Sequence, residues 1–570
     1  MAKKKAPVSL IPLGGTAAIG KNMILVEQAG SILVVDAGLM FPDETLLGVD
    51  IVIPDMSYLA QRADDVVGII LTHGHEDHTG ALPFLLDQVR APVWGTPLTL
   101  GLVELKLREH GLSDAVPMHA VDAGESVEIG PFGIDLVAVN HSVPHGVGLG
   151  IHTAQGLIVH SGDFKFDLTP LTGPAADVQK LGALGSEGVL ALIPDCTNID
   201  TPGYTPSERP VEEVLDRYFG EATGRVIVAT FASNLSRIQQ AFNVAHRHGR
   251  KVALLGRSMV QNCETAAELG YLTIPEETLV DPRDLAELSP QRVACITTGT
   301  QGEPLSALSL MAQGEHKYLD VTEGDTVIIS ASSIPGNEAL IFRTINNLFR
   351  RGAHVIHGPE MGVHVSGHGS REDIKMLLGL LRPKFLIPYH GEYRHLVAFR
   401  AMAAEMGVAE EAVFLLDLGD VLEFSAGRAR VVDRVPAGSL NVDGLGVGDV
   451  GDVVLRDRQR LSQNGVLAAI IVLDYETREM LAEPNIYSRG FVYVRDAQHI
   501  MEEAQATVAG AIEEAVASGE VDREELEARV RTALRRRVYE LTERRPIILP
   551  IVIEVGAPAE ARTAPWETEA

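Results

Sequence analysis

Short apolar runs closed by glycine-bearing turns fill the first part of the chain, at 8–12, 23–27, 31–35 and 67–71. That rhythm predicts a β-rich layer rather than repeated βαβ units. Further strands are predicted at 134–140 and 156–160. From about Glu208 the pattern changes. Apolar runs at 226–230, 252–255, 293–297 and 327–330 alternate with helix-like stretches, among them 233–247, with Ser233 or Asn234 as its cap, and 336–350. This predicts a small parallel sheet with flanking helices, inserted as a second domain. A helix is expected to begin just after Ser370, and a strand to cover 384–389. The Gly- and Asp-rich stretch 436–465 reads as a linker. A strand at 466–473, polar-faced helices at 499–517 and 522–543 and an apolar run at 547–555 then predict a small α+β domain. The last residues, 556–570, are rich in Ala, Glu and Pro and read as a disordered tail.

The 67–71 strand runs directly into Thr72-His73-Gly74-His75-Glu76-Asp77-His78. Three imidazoles and two carboxylates at a strand end are hard to explain as packing, and His with Asp is the usual donor set for zinc or manganese. The spacing suggests two adjacent ions, with His73 and His75 on one and Asp77 and His78 on the other. His141 and the Asp of Ser161-Gly162-Asp163 also close predicted strands, as a site along one sheet edge requires. Taken singly, each is as readily a turn former. In the second domain, strands empty into loops rich in Gly and hydroxyls, including Thr230-Phe231-Ala232-Ser233-Asn234. Loops at such strand ends, and helix N-termini, suit phosphates. A more specific segment is His364-Val365-Ser366-Gly367-His368-Gly369-Ser370, where backbone amides and two imidazoles precede a helix. No Arg or Lys cluster accompanies these loops in the sequence. His390 follows the predicted 384–389 strand.

At 570 residues the chain exceeds one ordinary core. Its apolar fraction of 46% and charged fraction of 22% are those of a soluble globular protein. No run is long and apolar enough to span a membrane, and Met1-Ala2-Lys3-Lys4-Lys5 has no apolar stretch behind it to make a signal peptide. Three scattered cysteines, Cys196, Cys263 and Cys295, point to a reducing cytoplasm. A net charge of -29 alone speaks against a nucleic-acid partner, although a metal-rich cleft can bind phosphates locally. The second C-terminal helix carries Arg529, Arg531, Arg535, Arg536 and Arg537, which read as a solvated face, with an RNA-contacting patch as the alternative.

The cluster at 73–78, His141 and Ser161-Gly162-Asp163 together resemble the metallo-β-lactamase fold family of hydrolases, which implies an α/β fold, an αββα sandwich. The resemblance narrows to the nuclease branch with an inserted β-CASP domain through three features: Asp195 in Pro194-Asp195-Cys196-Thr197-Asn198, the His of Ser366-Gly367-His368, and His390 in Pro388-Tyr389-His390-Gly391-Glu392. Within that branch nearly the whole chain is similar to the bacterial ribonuclease J family, on 298–304, 364–368 and 442–451. His145 departs from the pattern, where an Asp would follow Ser-x-Pro, but it lies outside the ligand set. The implied domains are a lactamase domain in two parts, 1–207 and 373–435, interrupted by a β-CASP domain at 208–372. The linker 436–465, the C-terminal α+β domain 466–555 and the tail complete the chain.

The resemblance implies a metal set of His73, His75 and His141 on one ion and Asp77, His78 and His390 on the other, bridged by Asp163. It makes Asp77, Asp195 and His368 catalytic, with His368 as general acid near the leaving oxygen. Asp195 is then expected to orient neighbouring imidazoles. Ser233, Asn234 and His364, Val365, Ser366, Gly367 and His368 are the expected substrate-binding residues. Two divalent cations, zinc or manganese, are the expected cofactors, with an additional structural cation on Asp50 and Asp443; acidic turns are the alternative for that pair. The expected activity is metal-dependent cleavage of RNA, 5′-to-3′ from 5′-monophosphate ends and also internally, in RNA maturation and mRNA decay. RNA is the expected partner, in a homodimer or homotetramer, with protein partners undetermined. A thioester or lactam hydrolase needs no inserted phosphate groove, and a catalytically dead RNA-binding scaffold would lack a ligand. DNA cleavage stays open.

Overall fold

Strands buried along most of their length build two sheets face to face. In a computed structural model, which describes residues 5–43, 45–334, 337–444, 446–492, 498–519 and 522–556, the first sheet has eight strands. Their order is Arg428–Arg434, Asp420–Ser425, Val8–Pro12, Ile24–Gln28, Ser31–Val35, Val66–Ile70, Val93–Gly95 and Met118–Ala120. The second runs Phe385–Leu386, Val189–Ile193, Leu157–His160, Val147–His152, Phe132–Ala138 and Ser126–Ile129. Leu10, Val26, Leu33 and Ile70 of the first sheet share one core with Ile134, Leu149, Ile158 and Ile193 of the second. The opposite face of the second sheet buries Val137, Val159 and Leu192 under three helices, Val178–Glu187, Arg371–Leu381 and Tyr393–Glu405. Helix Pro97–Glu109 packs on the far strands of the first sheet. Both faces of the central strands are therefore dry, while the edges Arg428–Arg434 and Met118–Ala120 face solvent, which explains why several strands read as continuous apolar runs rather than as alternations. The result is the αββα sandwich expected from the sequence.

The inserted region is a five-stranded, all-parallel sheet in the order Lys251–Leu255, Val293–Thr297, Val226–Ala229, Thr326–Ile329 and His354–Ile356. Val226 and Val228 face helices Arg209–Glu221, Leu235–Arg247 and Arg257–Glu268, while Ile227 and Ala229 face Ala307–Gln313 and Glu338–Arg350. Of the two candidate caps, Asn234 is the one used: its side chain accepts from Arg237 N. The outer strand His354–Ile356 escaped the sequence reading because it is three residues long. The strand expected at 384–389 pairs only at Phe385–Leu386, and Tyr389 then bridges Asp195.

By compactness the chain divides into one unit of Met1–Asp43 and Asp50–Asn441 and another of Glu44–Val49 and Val442–Ala570. Residues 436–465 are not an irregular linker, since they contain the strand Ser439–Asp443 and the 13-residue helix Asp452–Asn464. Solvent-facing polar residues dominate that helix, leaving no apolar stripe by which to recognise it. In the second unit the sheet runs Asn485–Arg489, Val466–Asp474, Ile547–Val555, and one face packs on helices Gln498–Ala517 and Arg523–Thr542. The expected disordered tail lies, beyond Gly556, outside the described residues. The three cysteines are free and buried. Among the described residues no helix is long and apolar enough to cross a membrane.

Candidate metal centre

Five strands end at one edge of the sandwich, and each delivers a polar side chain there. Val66–Ile70 leads into a turn and the one-turn helix Glu76–Thr79, which present His73, His75, Asp77 and His78. Phe132–Ala138 leads to His141, Leu157–His160 to Asp163, Val189–Ile193 to Asp195, and Phe385–Leu386 to His390. Ser161-Gly162-Asp163 can make its turn because Gly162 adopts φ +59°, and a Cβ there would stand 2.5 Å from Val147 O.

Three groups share Asp163: His73, His75 and His141 with it, Asp77, His78 and His390 with it, and Asp195, His368 and His390 with it. Within each group the ligand atoms lie within 4.8 Å of one another. His75 Nδ1 is 3.1 Å from both His73 Nε2 and His141 Nε2. Asp163 Oδ2 lies 3.6 Å from each of the same two Nε2 atoms and 3.3 Å from His78 Nε2. His390 Nε2 is 3.0 Å from Asp77 Oδ2. Asp163 Oδ2 is buried without a hydrogen-bond partner. A buried carboxylate oxygen ringed by imidazole nitrogens and lacking a proton donor is poorly solvated unless a cation completes it. These donors, nitrogen and carboxylate oxygen, fit a divalent metal.

Each ring is turned by a bond to its other nitrogen. His78 Nδ1–H donates to Asp36 Oδ2 (2.8 Å). His73 Nδ1–H donates to Thr72 Oγ1 (3.1 Å), which itself donates to Asp36 Oδ2 (2.9 Å). His141 Nδ1–H donates to Gly367 O (2.9 Å), and His390 Nδ1–H to Thr197 Oγ1 (2.8 Å), which donates to Asp195 Oδ1 (2.7 Å). Such partners fix the tautomer and aim the remaining lone pair. Burial keeps His73 and His141 well below the ordinary histidine range and lowers His75 to about 4, so all three are neutral, as ligands must be. At His390 burial also lowers the pKa, but the Asp163 charge, with Asp195 and Asp77, outweighs it and raises the value to about 10. His78 is raised for the same reason by Asp163, Asp77 and Asp36 against its burial. Where no cation balances the carboxylates, protons on these two rings do.

The His368 side chain is 21% exposed, between Asp77 at 29% and the buried His73, His78, His141, Asp163 and His390, each 3% or less. Its Nδ1 is 2.8 Å from Asp195 Oδ2 and 3.9 Å from Asp163 Oδ2. Burial lowers its pKa, but the Asp195 carboxylate more than compensates and raises it above the ordinary value. Asp195, despite burial, is held below the usual carboxylate range by His368. The pair can hold a proton at the rim of the metal groups.

The remaining candidate residues lie in the inserted region. His364 Nδ1 and Asn234 Nδ2 are buried without partners, and Ser366 Oγ accepts from His368 N (3.1 Å). Burial, with Arg237 and Lys165 nearby, lowers His364 to about 4. Beside these loops the fold brings two buried basic residues, each paired with Glu208. Lys165 Nζ lies 3.1 Å from Ser366 O, and Arg237 is bound to Glu208, which also binds Lys165. Sequence spacing hid this because the residues are far apart along the chain. Asp36, Asn22 and Thr197 were likewise missed. Asp36 alone carried a signal, as another Asp directly after a strand. Asp443 accepts a hydrogen bond from Arg458 Nη2, so a guanidinium already accompanies it. Asp50 and Asp443 fall in different compact units, and neither belongs to a metal-like group found among the described residues.

Family models match in chain order. They are the metallo-β-lactamase superfamily over 18–202, the ribonuclease J β-CASP domain over 223–348, the Zn-dependent metallo-hydrolase RNA specificity domain over 355–414, and the ribonuclease J C-terminal domain over 453–555. Ribonuclease J2 of Bacillus subtilis (strain 168) is 42% identical over 553 residues, covering 97% of this chain and 100% of that protein. The chain belongs to the ribonuclease J family. Ribonuclease J 1 of Streptococcus pyogenes is 41% identical over 96% of this chain and 98% of that one, and Ribonuclease J 2 of Staphylococcus aureus 38% over 97% and 99%. A crystal structure of a protein of unknown function from Enterococcus faecalis V583, 15% identical, superposes with a TM-score of 0.51 over 73% of this chain and 100% of that one, and shows the shared fold. Ribonuclease J membership makes the chain a metal-dependent hydrolase of the nuclease class.

Proposed function

We propose that the chain cleaves RNA in two ways, 5′-to-3′ from 5′-monophosphate ends and internally, in RNA maturation and mRNA decay, using two adjacent divalent cations, zinc or manganese. What supports this reading is the convergence of seven side chains into two of the groups sharing Asp163, with the His368–Asp195 pair at their rim. In it, His73, His75 and His141 would hold one cation and Asp77, His78 and His390 the other, with Asp163 available to both. The cations would supply Lewis acidity toward a phosphate oxygen and make water more acidic. The chain's own work is orientation and proton transfer. Asp36 and Thr197 keep the ligand rings turned inward. His368, protonated by virtue of Asp195, gives its Nε2 proton to the leaving oxygen as the P–O bond breaks and the oxygen of water bonds to phosphorus; the water releases one proton to solvent, from which His368 is reprotonated.

The same reading gives Ser233, Asn234 and the 364–368 loop to the substrate phosphates, the unpartnered His364 Nδ1 and Asn234 Nδ2 being free for a ligand. Lys165 and Arg237 are both buried and are balanced by Glu208 and the adjoining Asp167, so this corner carries no net charge. Hydrogen bonds and a helix N-terminus can satisfy one terminal phosphate, while a triphosphate brings more charge than this corner can neutralise. Assembly as a homodimer or homotetramer belongs to the same proposal. The test is degradation of end-labelled RNA and DNA bearing a 5′ monophosphate, triphosphate or hydroxyl, with zinc or manganese. Faster exonucleolysis of monophosphate RNA, and internal cleavage indifferent to the end, are expected. Equal exonucleolytic rates on monophosphate and triphosphate ends would refute end reading, and DNA cut as fast as RNA would refute RNA selectivity.

A further inference from the structure

Lys165 is 1% exposed, yet its ammonium is fully engaged. It donates to Glu208 Oε1 (3.2 Å), Ser366 O (3.1 Å) and Pro206 O (3.4 Å), which uses all three of its N–H bonds. These partners are not neighbours in sequence. Pro206 and Glu208 lie where the chain enters the inserted region, just before helix Arg209–Glu221, and Ser366 lies where the chain leaves it. One cation of the lactamase sandwich therefore grips both crossings. Glu208 in turn binds Arg237 Nη2 (2.6 Å) in the inserted helix Leu235–Arg247, and Gln240 Nε2 donates to Glu208 O (2.8 Å). A buried lysine is costly unless paired and hydrogen-bonded, and a tether could have been built from neutral groups. What it holds is specific, since His368 lies two residues beyond Ser366 and its N–H donates to Ser366 Oγ.

We propose that Lys165, clamped by Glu208 and Arg237, is a positioning residue: it fixes the inserted region on the sandwich and so sets the reach of His368 toward the leaving oxygen. The inference rests on the reading of His368 as the acid. An ammonium suits the task because its three donors diverge toward acceptors on different segments, whereas a guanidinium is planar. Displacing the 366–368 backbone by even about 1 Å would lengthen the proton's path, a shift that can cost on the order of 10²-fold in rate. Apart from His141, whose ring bonds Gly367 O, and Asp163, two residues before Lys165, the metal groups are carried by other elements, so metal should be retained while the rate falls.

The experiment compares single-turnover cleavage by the metal-loaded enzyme of two RNAs that differ at one linkage. In one the leaving atom is oxygen; in the other it is sulfur, which departs as a thiolate with little need of a proton. Lys165→Met should bind metal as the parent does, by elemental analysis, and lose roughly 10- to 100-fold on the oxygen linkage. On the sulfur linkage its loss should be at least tenfold smaller, about the size of the positioning effect itself. Glu208→Gln, which keeps hydrogen bonds but removes the central charge, should show the same contrast more weakly, and serves if Lys165→Met does not fold. Equal losses on both linkages, no loss on either, or metal loss in step with rate would overturn the proposal. His368→Ala separates the two readings. If it shows the contrast and the Lys165 and Glu208 variants do not, the tether alone fails. If it shows none, the acid assignment fails and the inference goes with it.

Discussion

Asp36→Asn tests whether ligand orientation, as distinct from ligation, governs this site. Asp36 touches no metal position, yet one of its oxygens serves a ring in each of two groups: His78 Nδ1 at 2.8 Å directly, and His73 through Thr72 Oγ1 at 2.9 Å. Its other oxygen accepts from Thr72 N at 2.7 Å. Asparagine keeps the shape but has one acceptor. With its oxygen toward His78 and Thr72 Oγ1, its amide group faces the Thr72 N–H donor to donor. A buried donor left without its acceptor costs about 1–3 kcal/mol. Loss of such an orienting carboxylate typically weakens metal binding about 10- to 100-fold, which is roughly 1.4–2.7 kcal/mol. Chelator competition should therefore show both metals held less tightly, and urea unfolding of the stripped protein should show a stability loss of similar size. Unchanged affinity for both metals, with or without a stability change, would refute the idea that Asp36 sets the ligand rings.

The acid role of His368 predicts that His368→Ala keeps near-normal metal by elemental analysis while cleavage falls roughly 10²–10⁴-fold; parallel loss of metal would make it a ligand instead. Because His390 is raised to about 10 and His78 is raised as well, both must surrender protons before they can ligate. Calorimetry in buffers of different ionisation enthalpy should then detect proton release on metal uptake, and affinity should strengthen as pH rises toward about 10 and weaken as it falls. Uptake without proton release would contradict this. Leu549, Ile551 and Ile553 are exposed on the strand Ile547–Val555, on the face opposite its helices. Removing residues from 466 onward should convert an oligomer to monomer by light scattering and weaken cleavage of long RNA; an oligomer of unchanged size would place the contact in the first unit.

Much of this molecule is legible without coordinates, for identifiable reasons. Strands such as Val66–Ile70 and Val226–Ala229 are buried on both faces, so they read as unbroken apolar runs. Ligands placed directly after strands are read by the same rule, which is why 73–78, His141, Asp163 and His390 stood out. Elements without an apolar stripe were lost, as in helix Asp452–Asn464, and so was a three-residue outer strand. What the chain order could not express is partnership at a distance. Asp163 becomes common to three groups only when strands from both sheets end at one edge. Asp36 reaches His78 across a strand pairing, and Lys165 meets Glu208 and Ser366 only when the inserted region is docked. Local residue choice is dictated by burial and turn geometry, which act over a few positions and leave a periodic trace. Charge pairing and proton placement act through space, in a low-dielectric interior that exists only once the sheets have closed.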